Sequence, residues 1–199
     1  MSSRFGPGVQ LNDPAFIHDT SLIYGSVVVE RGASLWPYSV IRSETSHVRI
    51  GELTNIQDFV MIHTSPGRPT IIGKNCSITH HCTIHAAHIG DNCLIGINST
   101  LYDGCVIGNN CIIGQHTYVK EGTKIPDNSI VVGSPARIVG TRDNRLANIM
   151  NARLYYWNAL SYARGDHRGW SGDEFETFLA SELKALQKEI DDGLHGEAP

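Results

Sequence analysis

An aliphatic residue returns every six positions along most of this chain. One run reads Ile17, Ile23, Val29, Leu35, Ile41; a second Ile50, Ile56, Ile62; a third Ile72, Ile78, Ile84. The last reads Ile89, Ile95, Leu101, Ile107, Ile113, Val119, Ile125, Val131. Glycine often follows the aliphatic, as in Ile50-Gly51, Ile72-Gly73 and Ile107-Gly108. Four positions after the aliphatic stands something small, such as Ala33, Thr54, Ser99 or Thr117. A fixed period of six is the mark of a parallel β-helix. Three hexads make one triangular coil, with the aliphatic pointing inward and Gly or Asn turning the corner.

Three breaks in phase locate loops. Ile41 to Ile50 carries three extra residues, expected as a loop around Glu44 to His47. Ile62 to Ile72 carries four, the Thr64–Pro69 segment, and Ile84 to Ile89 is one short. Loops on the corners of a rigid solenoid are usual places for function. The repeat ends near Val132-Gly133-Ser134-Pro135-Ala136-Arg137, and helical spacing follows on Leu146, Ile149, Met150, Leu154, Trp157 and Leu160. Arg164–Gly172 breaks it. Ser171 with Glu174 reads as a capping box opening a second helix on Phe175, Phe178, Leu179, Leu183, Leu186 and Ile190. The expected organisation is an all-β solenoid over 1–140 and a helical appendage over 141–199 packing on it. Tyr155, Tyr156, Trp157 and Tyr162 either pack there or line a substrate channel.

Composition narrows the function classes. A net charge of −4 without a basic stripe argues against nucleic acid. No apolar run is long enough to span a membrane, and Met1-Ser2-Ser3-Arg4-Phe5-Gly6 has no leader character, so cytoplasm is the expected compartment. Cys76, Cys82, Cys93, Cys105 and Cys111 all fall at the small inward position. They read as buried free thiols rather than a zinc motif or a disulfide framework.

The repeat also fixes where histidines point. Arg42, His63, His85 and Tyr102 each follow an aliphatic three hexads from the last, so they stack in one ladder. Neighbouring coils lie about 4.8 Å apart, and two imidazoles at that spacing share one ion at roughly 2.0–2.1 Å each. Asp58 and His80 stack likewise one face away, so a three-fold trimer would bring His80 of one subunit against His63 and His85 of the next. Zinc is the default for three histidines, with iron or cobalt suited too. His81 points to the opposite side, and His88 and His116 read as corner or surface residues.

Arg42-x-Glu44, Gln57-Asp58 followed by His63, and His80 followed by His85 resemble the signature of the γ-class carbonic anhydrase family, in its short-loop bacterial type. The resemblance spans roughly residues 10–140. It implies a homotrimer of left-handed β-helices with C-terminal α-helices, binding Zn2+ (or Fe2+ or Co2+) through His63 and His85 of one subunit and His80 of its neighbour. It further implies Gln57 on the metal-bound water or hydroxide, Asn55 at a polar site position, an Arg42–Asp58 ion pair across the interface, and reversible hydration of CO2 to bicarbonate. Three departures stand out. Glu44 replaces the usual Asp, Gly96-Ile97-Asn98 replaces Gly-Met-Gly, and the long acidic loop with its proton-shuttling glutamate gives way to Thr64–Pro69, which has no carboxylate. Glu44, Tyr102 or a loop histidine is then left to move protons. Competing expectations are an acyl-CoA thioesterase, whose activity on CoA esters would die with His80→Ala, and a non-catalytic assembly subunit, whose partner binding would survive it. A hexapeptide acyltransferase suits a single catalytic base better than a histidine ladder.

Overall fold

The computed structural model describes residues 4–195. Met1–Ser3 of the N-terminal stretch and the side chain of Ile190 lie outside it. Every coil pairing implied by the repeat is realised as parallel strand pairing. On the first face Ile23, Ile41, Ile62, Ile84, Leu101 and Val119 stack in register. The second face stacks Val29, Ile50, Ile72, Ile89, Ile107 and Ile125. The third stacks Ile17, Leu35, Ile56, Ile78, Ile95, Ile113 and Val131. These form the core of a left-handed parallel β-helix, and nearly all are fully buried. Each inward aliphatic contributes about 1.5–3 kcal/mol through the apolar surface it removes from water.

Corners are turned by the residue three after the aliphatic. Asn75, Asn92, Asn98, Asn110 and Asn128 all take positive φ there. Asparagine tolerates this left-handed region because its short amide bonds locally. On one corner the amides also bond along the stack, from Asn75 to Asn92 to Asn110 to Asn128. The glycines directly after the aliphatic do a different job. A Cβ on Gly51 would lie 2.5 Å from the Gly73 backbone of the next coil, so they permit close approach rather than the turn.

The expected loop at Glu44–His47 does not form. The chain runs as one uninterrupted strand, Val40–Ile50, and the extra residues are absorbed as a register shift opposite Gly25–Val27. Gly25 (φ 89°) packs so tightly on the Ser43 backbone that no side chain fits. The Thr64–Pro69 loop does form. Backbone bonds between Ser65 and Arg68 close it into a tight turn.

The solenoid ends where Ser129–Val132 pairs antiparallel with Arg137–Thr141. Helix α1 (Arg145–Ala163) then lies against the third face, and α2 (Asp173–His195) against α1. The side of α1 that meets the solenoid is not the apolar stripe read from sequence. Asn148, Asn151 and Ala152 face it, because the outward row on the third face is Ser34, Asn55 and Ser77. Asn148 Nδ2 donates to the Asn92 carbonyl (2.8 Å), and Ser77 Oγ to Asn151 Oδ1 (2.8 Å). Leu146 and Leu183 are exposed. Tyr155 and Tyr162 pack edge-on against Trp36, and Trp157 stacks on Phe178, so these aromatics serve packing. The Ser171–Glu174 capping box is absent. Ser171 Oγ donates to the Arg168 carbonyl, and the Gly172 carbonyl accepts the first helical N–H, from Glu176. No helix among the described residues is long and apolar enough to cross a membrane.

Candidate metal centre

Strands Met61–His63 and Thr83–His85 pair with His63 opposite His85. Each histidine follows an inward isoleucine, so strand alternation turns its ring outward at the end of the first face. His63 Nδ1 and His85 Nε2 face each other at 3.0 Å, close enough for one ion at roughly 2.0–2.1 Å from each.

The other ring nitrogens each meet a carboxylate. His63 Nε2 lies 2.9 Å from Glu44 Oε2, whose other oxygen accepts from Arg42 Nη1 at 2.5 Å. His85 Nδ1 bonds Asp103 Oδ1, and Asp103 Oδ2 accepts from Ser65 Oγ at 2.5 Å. Both carboxyls titrate below their usual range. Desolvation pushes each up, but it is outweighed at Glu44 by the bond to His63, a bond from its own backbone and the charges of Arg42 and His63 together, and at Asp103 by the bonds from Ser65 and His85 and the charges of His85 and Arg68 together. On the next edge of the solenoid His80 Nδ1 pairs with Asp58 Oδ2 at 3.0 Å.

All three histidines are thus oriented alike, by a carboxylate on one nitrogen. Metal-ligating histidines characteristically donate their second ring N–H to a carboxylate or carbonyl, which fixes the tautomer and leaves the other nitrogen free to bind. The donor set therefore fits a divalent metal, with Nδ1 of His63 and Nε2 of His85 and of His80 as the free atoms. The fold brings the first two together and keeps His80 apart. Among the described residues no three such donors converge within one chain.

The remaining expected residues divide between the two edges. Tyr102 stacks on His85, with ring centroids 5.4 Å apart. Arg42 pairs with Glu44 rather than Asp58 inside one subunit. Gln57 and Asn55 are buried beneath α1 on the His80 side. Gln57 Nε2 donates to Asn55 Oδ1 (3.0 Å), and Asn55 Nδ2 to Ser77 Oγ (2.9 Å). Burial pushes the nearby Tyr155 phenol up to about 12, and the Asp58 charge adds to it. His81, His88 and His116 are exposed.

Sequence reasoning missed Asp103 and Ser65. Asp103 stands two residues after Leu101, the same offset that places Asp58 and His80 after their aliphatics, so the signal was one position beyond the ladder. Ser65 reaches it from the Thr64–Pro69 loop, which an ion pair between Arg68 and Glu121 (3.1 Å) ties down. The loop lacks a carboxylate of its own and instead grips one two coils away.

The family profile described as "Bacterial transferase hexapeptide (six repeats)" matches residues 86–121. A gamma carbonic anhydrase 1, mitochondrial, from Arabidopsis thaliana is 30% identical over 93% of this chain and 71% of its own length. A probable carbonic anhydrase from Methanocaldococcus jannaschii is 47% identical over 60% of this chain and 75% of its own. Among solved structures, a hexapeptide transferase family protein from Anaplasma phagocytophilum superposes with a TM-score of 0.70, at 27% identity, over 81% of this chain and 95% of that one. The transferase likeness is a likeness of solenoid, while the two carbonic anhydrases match across most of their own length. The chain belongs to the γ-class carbonic anhydrase family.

Proposed function

We propose that this protein is a carbonic anhydrase that interconverts CO2 and bicarbonate at a metal held between subunits, His63 and His85 coming from one copy and His80 from the next. One observation carries the reading. Glu44, Asp103 and Asp58 each fix one nitrogen of a histidine, and the two free nitrogens that lie in the same chain are 3.0 Å apart. A divalent metal bound there supplies Lewis acidity that makes water a nucleophile near neutral pH, an effect for which carbonic anhydrases are the standard example.

The chain's own residues then have separable tasks. Asp103, Glu44 and Asp58 hold the three imidazoles in their binding tautomers. Gln57 spends its Nε2 on Asn55 and keeps Oε1 as an acceptor for water or substrate at the His80 edge. Glu44 is better suited to orienting His63 than to carrying protons. Both of its oxygens are engaged, and its carboxyl is held below the usual range, which makes it a weak base. Tyr102 forms a wall against the His85 ring. Arg42 is free to exchange Glu44 for Asp58 of a neighbour when subunits meet.

Metal content and stopped-flow CO2 hydration test the reading together, on protein loaded with zinc and, anaerobically, with iron. The wild type is expected to bind metal and hydrate CO2, and His80→Ala to lose both while keeping its circular dichroism. Metal binding unaffected by His80→Ala would overturn the shared site. Metal bound without CO2 hydration, but with turnover of CoA thioesters, would replace the substrate and keep the centre.

A further inference from the structure

Three asparagines lie along the side of α1 that meets the solenoid, and two of them have partners there. Asn148 donates to the Asn92 carbonyl, and Asn151 accepts from Ser77. Asn158 is the third. It is 7% exposed, yet its side-chain amide bonds to no group among the described residues. Burying an amide with nothing to bond is unfavourable, so such a group calls for an explanation. Asn158 lines a cleft of about 290 Å³ between the last turns of α1 and residues 164–172, together with Tyr162, His167, Arg168 and Trp170. This linker is pinned in place. Trp157 Nε1 donates to the Gly169 carbonyl (2.5 Å), Trp170 Nε1 to the Leu154 carbonyl (3.1 Å), and the Asp166 N–H to the Ser161 carbonyl (2.9 Å). Gly169 sits so close to α1 that a Cβ there would lie 2.5 Å from Ser161 Oγ.

We propose that this cleft takes an adenine nucleotide. A primary amide carries an N–H donor beside a carbonyl acceptor. Adenine presents the matching pair, the N7 acceptor beside the N6 amino donor, and asparagine reads it with two bonds. Tyr162 and His167 set their rings 4.7 Å apart at 45°, and Trp170 lines the cleft with them. A planar base packs well against such aromatic walls. Arg168 is exposed, and its guanidinium pairs with no carboxylate among the described residues, so it is free for a phosphate at the open side. Its backbone is fixed meanwhile, the N–H donating to Asp166 Oδ1 (2.9 Å) and the carbonyl accepting from Ser171 Oγ. None of the lining residues belongs to the metal centre. The cleft is a site of the helical appendage and needs neither the metal nor a neighbouring copy.

Isothermal titration of AMP into the zinc-loaded full chain tests this, with GMP, adenosine and ribose 5-phosphate as comparison ligands. AMP is expected to bind, with GMP and ribose 5-phosphate at least about tenfold weaker, because guanine offers the O6 acceptor where adenine offers N6 and ribose 5-phosphate has no base. Asn158→Leu, which removes no hydrogen bond from the fold, is expected to keep the thermal midpoint and to weaken AMP at least about tenfold. Arg168→Gln is expected to bring AMP down to the affinity of adenosine and to leave adenosine unchanged. Arg168 is exposed, so this second variant keeps the test independent of packing at Asn158. His80→Ala is expected to bind AMP like the wild type, which separates the cleft from a phosphate on the metal. AMP binding that survives Asn158→Leu at full strength, or that is lost in His80→Ala, overturns the proposal. So does equal binding of GMP or ribose 5-phosphate, or no binding at millimolar AMP.

Discussion

Asp103 holds the Nδ1 side of His85 with one oxygen and takes the Ser65 hydroxyl with the other, so both of its oxygens are engaged. Removing such a partner frees the imidazole to rotate and to take the wrong tautomer. Asp103→Ala is expected to lower zinc affinity about 10–100-fold, read by competition with a chromophoric chelator, with Asp103→Asn in between because its carbonyl still accepts. An unchanged affinity in the alanine variant would mean that His85 is positioned by packing on Tyr102 alone. The histidines themselves were legible from the chain because the repeat phase dictates their height and face. The contact to Asp103 was not, since it runs diagonally between coils and depends on where a loop lays its serine. The extra methylene of Glu44 reads as a departure from family pattern, and its consequence, a reach to His63, appears only once the Val40–Ile50 strand is seen to stay extended.

At the level of elements, the inward ladder explains the cysteines. All five are buried free thiols at the small position, so they fill core space and meet no reagent. Burial pushes Cys82 up to about 11 and Cys105 to about 12. An acid whose folded pKa lies above its unfolded value contributes stability below the ordinary thiol range near 8.5, and that contribution is lost as pH climbs toward 11–12. A disulfide-exchange dye at pH 8 is expected to find none of the thiols in the native protein and all five in guanidinium; fast native reaction would show that the coils open readily. Strand phase was readable because a period of six admits one register. The helices were less so. Apolar spacing in α1 marks the side that meets α2, while the side against the solenoid is chosen by hydrogen bonds to Ser77 and Asn92, which hydrophobic periodicity cannot register. The same limit applies to Ser171, which has the right spacing for a cap and spends its hydroxyl on Arg168 instead.

Across the whole molecule, the faces of the solenoid are unequal. The third carries α1 with α2 packed behind it, the second joins the first through the long Val40–Ile50 strand, and the first has a histidine cluster along each border. On the proposed assembly every copy lends His80 to one neighbour and receives His80 from another. A defect in His63 and a defect in His80 therefore spoil different halves of the centre. Purified His63→Ala and His80→Ala proteins are each expected to be inert. Co-expressed in equal amounts in a closed three-membered ring, they should regain about a quarter of the wild-type sites, because one interface in four joins two undamaged halves. Hydration assays on the mixed preparation check this, and a centre contained in one chain would show no recovery at all. In a cell, two inactive alleles of this gene would complement each other, with the active sites reassembled from copies that are each defective.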